Sequence, residues 1–136
     1  MGHADINYLA VLVCALVPML IGFLWYGPIF GKAWMAAVGK TEEEIKKDFN
    51  PGKTYGLTIV TNFIVAYALA RIIWFTGATT IVDGLMIAAL CWLGFTAGTF
   101  YINNLFEGKP IKLLLINVFY HLAVVLVYSV IIVSWR

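Results

Sequence analysis

Charge is what this chain has least of: Asp, Glu, Lys and Arg make up 12% of its 136 residues, where a soluble domain carries about 25%. So few charges cannot cover a water-facing surface, and with 62% hydrophobic residues the sequence reads as an integral membrane protein. The formal net charge of +2 is too small to recruit nucleic acid. Polar sequence outside the apolar runs is too short for a separate soluble domain, so a single transmembrane domain is expected over residues 1–136. Cysteine is nearly absent. Cys14 and Cys91 lie in apolar runs with no Cys-x-x-Cys spacing, and they read as small buried hydrophobes rather than a disulfide or a reactive thiol. Histidine is equally scarce, and only His121 falls at membrane depth. No triad, dyad or His-x-x-x-His ligand set can be assembled from one such histidine, two distant cysteines and Glu107, so the expectation is no enzyme, no cofactor and no metal. A glycine-rich phosphate loop is excluded because there is no strand for it to follow.

What is abundant is long apolar sequence. A spanning helix needs about 20 such residues, and four stretches qualify, at about 6–30, 55–75, 81–101 and 111–135. The predicted fold class is therefore all-α, a four-helix transmembrane bundle. No Lys or Arg precedes the first run, which is expected to be a retained helix rather than a cleaved signal. Asp5 or Asn7 can cap it, Pro18 should kink it, and Trp25-Tyr26-Gly27-Pro28 reads as an aromatic interfacial belt and a turn. Ala10, Cys14, Pro18 and Gly22 recur every fourth residue along it, as do Thr58, Asn62, Ala66 and Ala70 along the second helix; both are faces another helix can approach closely. Gly94 and Gly98 form a Gly-x-x-x-Gly pair in the third helix, a contact either within the chain or between copies.

The loop over about 31–54 is amphipathic. Lys32 to Val38 can lie in the headgroup layer, with Gly39 closing the turn. Thr41 to Glu44 fits a capping box opening a short interfacial helix through Asp48, which Asn50-Pro51-Gly52 should stop. Lysine placement orients the whole. Lys32, Lys40, Lys46, Lys47, Lys53, Lys109 and Lys112 fall in the loops after helices one and three, against Arg71 and Arg136 on the other side. By the positive-inside rule the lysine-rich loops are cytoplasmic and both termini are outside, in the cell (inner) membrane. Trp25-Tyr26 with Phe30-Gly31-Lys32 also echoes Phe100-Tyr101 with Phe106-Glu107-Gly108-Lys109, as two like-oriented hairpins would.

Polar residues inside the spans are the candidates for function. Asn62, Thr99, Asn103, Asn117 and His121 all fall in one half of the bundle, and Asn117, His121 and Tyr128 share a face of helix four. Two readings are open. They either lock helix packing by hydrogen bonds worth about 0.6–2 kcal/mol each, or line a small cavity where a neutral histidine can pass a proton. Glu107 beside Lys109 and Lys112 reads as an interfacial ion pair.

Leu24-Trp25-Tyr26-Gly27-Pro28 with Phe30-Gly31-Lys32-Ala33-Trp34, and Phe106-Glu107-Gly108-Lys109-Pro110 leading to Leu115-Ile116-Asn117 and Tyr120-His121-Leu122, resemble a family of small, mostly bacterial membrane proteins known only as a domain of unknown function. The resemblance spans essentially the whole chain and implies a four-helix integral membrane protein, with no activity or site residues attached. The leading expectation is a non-enzymatic subunit, embedded in the bilayer, that associates with itself or a larger membrane complex. The alternative is a small oligomeric channel or transporter with a polar pathway near Asn62, Asn117 and His121.

Overall fold

Asn7 opens the first helix, its side-chain oxygen accepting the Leu9 and Ala10 amide N–H groups at 3.1 and 3.2 Å. Those are donors that a helix start otherwise leaves without partners. The computed structural model describes residues 6–47 and 49–135; Asp5, Asp48 and Arg136, which entered the reading of the sequence, lie outside them. Helix α1 covers Tyr8–Ile29. Two short helices follow, α2 over Gly31–Val38 and α3 over Glu42–Lys47. Then come α4 over Pro51–Phe75, α5 over Ile81–Glu107 and α6 over Ile111–Ser134. The described chain has no strand, and α1, α4, α5 and α6 are each long and apolar enough to cross a membrane. This is an all-α membrane protein.

Local chemistry explains where the helices begin and end. Asn50-Pro51-Gly52 follows the end of α3 at Lys47 and also starts the next helix: Asn50 Oδ1 accepts the Lys53 N–H at 3.2 Å, and Pro51 occupies the first turn, where its missing N–H costs nothing. The second span therefore begins four residues before Tyr55. Thr80 caps α5 by accepting the Asp83 N–H at 3.1 Å. That helix runs past Tyr101 to Glu107, carrying Asn103 and Asn104 beyond the apolar run, and ends where Gly108 turns left-handed at φ 68°. Thr41 caps α3 through the Glu44 N–H at 3.2 Å, as a capping box requires.

Helices α1, α4 and α6 pack into a three-helix core, and α5 docks chiefly on α6. The core is filled by Val11 and Cys14 of α1, Ala66, Leu69 and Ile73 of α4, and Val124, Tyr128 and Ile132 of α6. Ala10, Cys14, Pro18, Ala66 and Ala70 of the two fourfold stripes are buried, so those faces do carry close packing. Gly22 meets a partner too, since a Cβ there would stand 3.3 Å from the Tyr120 hydroxyl.

The Gly94/Gly98 pair is different. A Cβ on Gly94 meets nothing within 4 Å, and one on Gly98 meets only the Leu93 carbonyl of its own helix. The small residues that seat α5 are Gly84 and Ala88, both buried, and a Cβ on Gly84 would lie 2.8 Å from Val133 Cγ2. Within the chain, the close contact is one helix-half away from where the Gly-x-x-x-Gly spacing pointed.

Helix α1 continues through Pro18 and changes character later, in a π-helical turn over Trp25–Ile29. Pro28 has no N–H to donate within this turn, and the Phe30 N–H reaches back to the Trp25 carbonyl at 2.8 Å. Gly31 follows because a Cβ there would sit 2.7 Å from the Tyr26 carbonyl oxygen. Helix α5 holds a second π segment, Trp92–Ala97.

Candidate functional site

The tryptophans that open the two π segments do the same thing. Trp25 Nε1–H donates to the Ile116 carbonyl at 3.0 Å, and Trp92 Nε1–H donates to the Val118 carbonyl at 2.6 Å. Both grip α6, two residues apart, each using the second lone pair of a helical carbonyl. Next to Trp25, the Tyr26 hydroxyl donates to Asn117 Oδ1 at 2.7 Å, and from α6 the Tyr120 hydroxyl donates to the Pro18 carbonyl at 3.0 Å. Tyr26 and Tyr120 rings lie 5.2 Å apart, Trp34 of α2 packs edge-on against Tyr26 at 5.7 Å, and Phe30 lies 4.9 Å from Trp25. The lysine-rich end of the bundle is thus tied together by aromatic rings, of which Trp25, Tyr26, Trp92 and Tyr120 each have an apolar body and a polar tip that finds a partner.

The polar residues singled out by the sequence divide among these surroundings. Asn62 is half-buried and its Nδ2 donates to the Ala15 carbonyl at 3.3 Å, a cross-helix bond between α4 and α1. Asn117 is held by Tyr26. His121 is half-buried between two rings, stacked on Phe100 at 5.4 Å and edge-on to Tyr120 at 5.2 Å. Thr99 and Asn103 are exposed on α5. Glu107 pairs with Lys109 at 3.3 Å, and Lys112 makes no ion pair with a described residue.

Four of the five nevertheless share one space. Asn62, Thr99, Asn103 and His121, with Thr96, line a cleft of about 330 Å³ between α4 and α5, floored by Val124 and Tyr128 of α6. The cleft exists because α4 and α5 touch little beyond the turn that joins them. Asn117 lies outside it, in an adjoining groove of about 260 Å³ with Asn103, Asn104, Glu107 and Lys109. Among the described residues no three His, Cys, Asp or Glu side chains cluster closely enough to hold a metal ion.

Trp25, Tyr26, Trp92 and Tyr120 are the residues whose roles the sequence did not disclose. Three of them stand in the motif segments, where they look like interfacial anchors. Their hydrogen bonds to residues 26 to 102 positions away become visible only once α1, α5 and α6 are packed.

The two segments that carry the family resemblance, around Trp25-Tyr26 and around Asn117-Tyr120, are therefore the two that meet in space. No curated protein and no solved structure matches the chain. A family model does match, over residues 9–133, so it takes in all four spans but for the first residue of α1 and the last of α6. The chain belongs to the family described as protein of unknown function (DUF1761).

Proposed function

We propose that this membrane protein is a non-enzymatic subunit that associates with itself, through the face of α5 that carries Gly94. The observation behind this reading is the unequal embedding of the spans. Helix α5 leans almost entirely on α6 and is the least buried of the four, and Gly94 stands open between exposed Leu90 and Leu93. In lipid, small residues draw helices together by allowing close van der Waals contact, and a glycine facing hydrocarbon forgoes that gain. The lysine-rich loops are cytoplasmic and both termini outside, by the positive-inside rule.

Light scattering on the protein in mild detergent tests the proposal. A dimer or larger assembly is expected, shifting to monomer in Gly94→Leu with helicity unchanged. A monomeric wild-type protein sinks it. Labelling of Lys46→Cys by an impermeant reagent in intact cells should fail, and efficient labelling overturns the orientation.

A second reading, a small oligomeric channel or transporter, is favoured by the way Asn62, Thr99, Asn103 and His121 line one cleft. That lining reaches no deeper along α6 than Tyr128, so a pathway needs a second copy to complete it. An assembly with the cleft facing a wet central axis, and solute flux into proteoliposomes lost in His121→Leu, is the outcome that replaces the first reading with this one.

A further inference from the structure

The cleft between α4 and α5 is continuous with the groove at the lysine-rich end, because Phe100 and Asn103 line both. Along α6 the combined space runs from Leu113 to Tyr128, about 22 Å of helix at ~1.5 Å per residue. That is more than half of a hydrocarbon core about 30 Å thick.

Its chemistry changes along that length. The inner end is walled by Val65, Phe95, Val124 and Tyr128. The outer end presents hydrogen-bond donors. Tyr26 occupies the oxygen of the Asn117 amide, which leaves that amide its N–H donors, and the side-chain amides of Asn103 and Asn104 bond to no described residue. Lys109 and Glu107 line the groove as a pair 3.3 Å apart, and Lys112 follows outside the lining in the first turn of α6, so this end of the bundle carries two lysines against one carboxylate and favours an anion. Size argues against a helix as the occupant. A rod ~10 Å across and ~22 Å long fills more than about 1,500 Å³, whereas cleft and groove measure about 330 and 260 Å³, room for the much narrower rod of a single acyl chain.

We propose that this space holds one phospholipid, with an acyl chain between α4 and α5 and an anionic phosphodiester on Lys109 and the Asn103 and Asn117 amides. Gly94 does not line this space, and the site does not depend on self-association.

Native mass spectrometry of the full chain in mild detergent tests it, with phosphatidylglycerol and a diacylglycerol of the same acyl chains as probes. One phosphatidylglycerol per chain is expected to be retained, at least about tenfold over diacylglycerol, the step that one charge-assisted hydrogen bond confers. Lys109→Leu and Asn103→Leu, both at exposed positions, should each lower retention about tenfold. Thr99→Trp should empty the cleft by filling it, and Gly94→Leu should leave retention unchanged. Circular dichroism on each variant confirms that the fold is intact. Equal retention of diacylglycerol, undiminished retention in the Lys109 and Asn103 variants, or disulfide trapping of two copies through Thr99→Cys overturns the proposal.

Discussion

At the end of the bundle that carries the chain termini, small residues let the helices touch; at the lysine-rich end, long aromatic side chains span the distance between them. Gly84 and Ala88 bring α5 against Val133 and Ser129 of α6, and Ala66, Ala70 and Cys14 close α4 on α1. Nearer the lysines, Trp25, Tyr26, Trp92 and Tyr120 reach α6 or α1 by hydrogen bonds of 2.6 to 3.0 Å, and clefts remain between the helices. The difference shows how a short four-helix chain can be sealed at one end and open at the other. Backbone approach sets a continuous contact, whereas a bridging ring fixes two points and leaves space beside them.

The comparison can be broken at either end. Gly84→Leu should have the largest effect, because the first carbon added already lies 2.8 Å from Val133. Overpacking of that kind costs about 1–3 kcal/mol, and thermal unfolding in detergent should show a clear drop in midpoint. An unchanged midpoint would mean that α5 is not seated as described. Tyr26→Phe should cost less, about 1 kcal/mol for one half-buried hydrogen bond. Its more telling readout is local: hydrogen exchange should quicken in α2, which loses an anchored ring at Tyr26, and not at the Gly84 contact. Equal quickening at both ends would erase the distinction.

The smallest effect belongs to the loop outside both ends. Lys46, 2.8 Å from Glu42, hydrogen-bonds its carboxylate and attracts it by charge, which together hold the Glu42 carboxyl below the ordinary carboxylate range. A depressed folded-state value means that the pair supports α3 above the ordinary pKa and is lost as pH falls through the lowered one. Hydrogen exchange in α3 should therefore rise slightly in that acid window, and Glu42→Gln should remove the pH dependence. Because the pair is fully solvated, the global melting temperature should not respond.

Much of this architecture could be read from residue order. The four spans, the caps at Asn7 and Thr41, and the left-handed ends at Gly39 and Gly108 follow from apolar run length and local hydrogen-bonding chemistry. Asn50-Pro51 was legible in kind but ambiguous in direction, since the same pair ends one helix or begins another according to which neighbour supplies the next turn. The candidate site was legible only in part. Asn62, Thr99, Asn103 and His121 could be picked out as polar groups among apolar ones, and the fold does bring them to one cleft. Periodicity alone could not show that Asn117 lies outside that cleft with its oxygen taken by Tyr26, because that bond joins residues 91 positions apart.

Sequence alone determined that this is a four-span membrane protein with one lysine-rich side, since chain length per span, hydrophobicity and charge count are properties of local segments. Tertiary structure decided which glycine touches a neighbour and which stands open. Gly84 and Gly94 have the same residue type and lie on the same helix, yet one meets Val133 and the other meets nothing. That outcome depends on where α6 crosses α5, and no local pattern encodes a crossing.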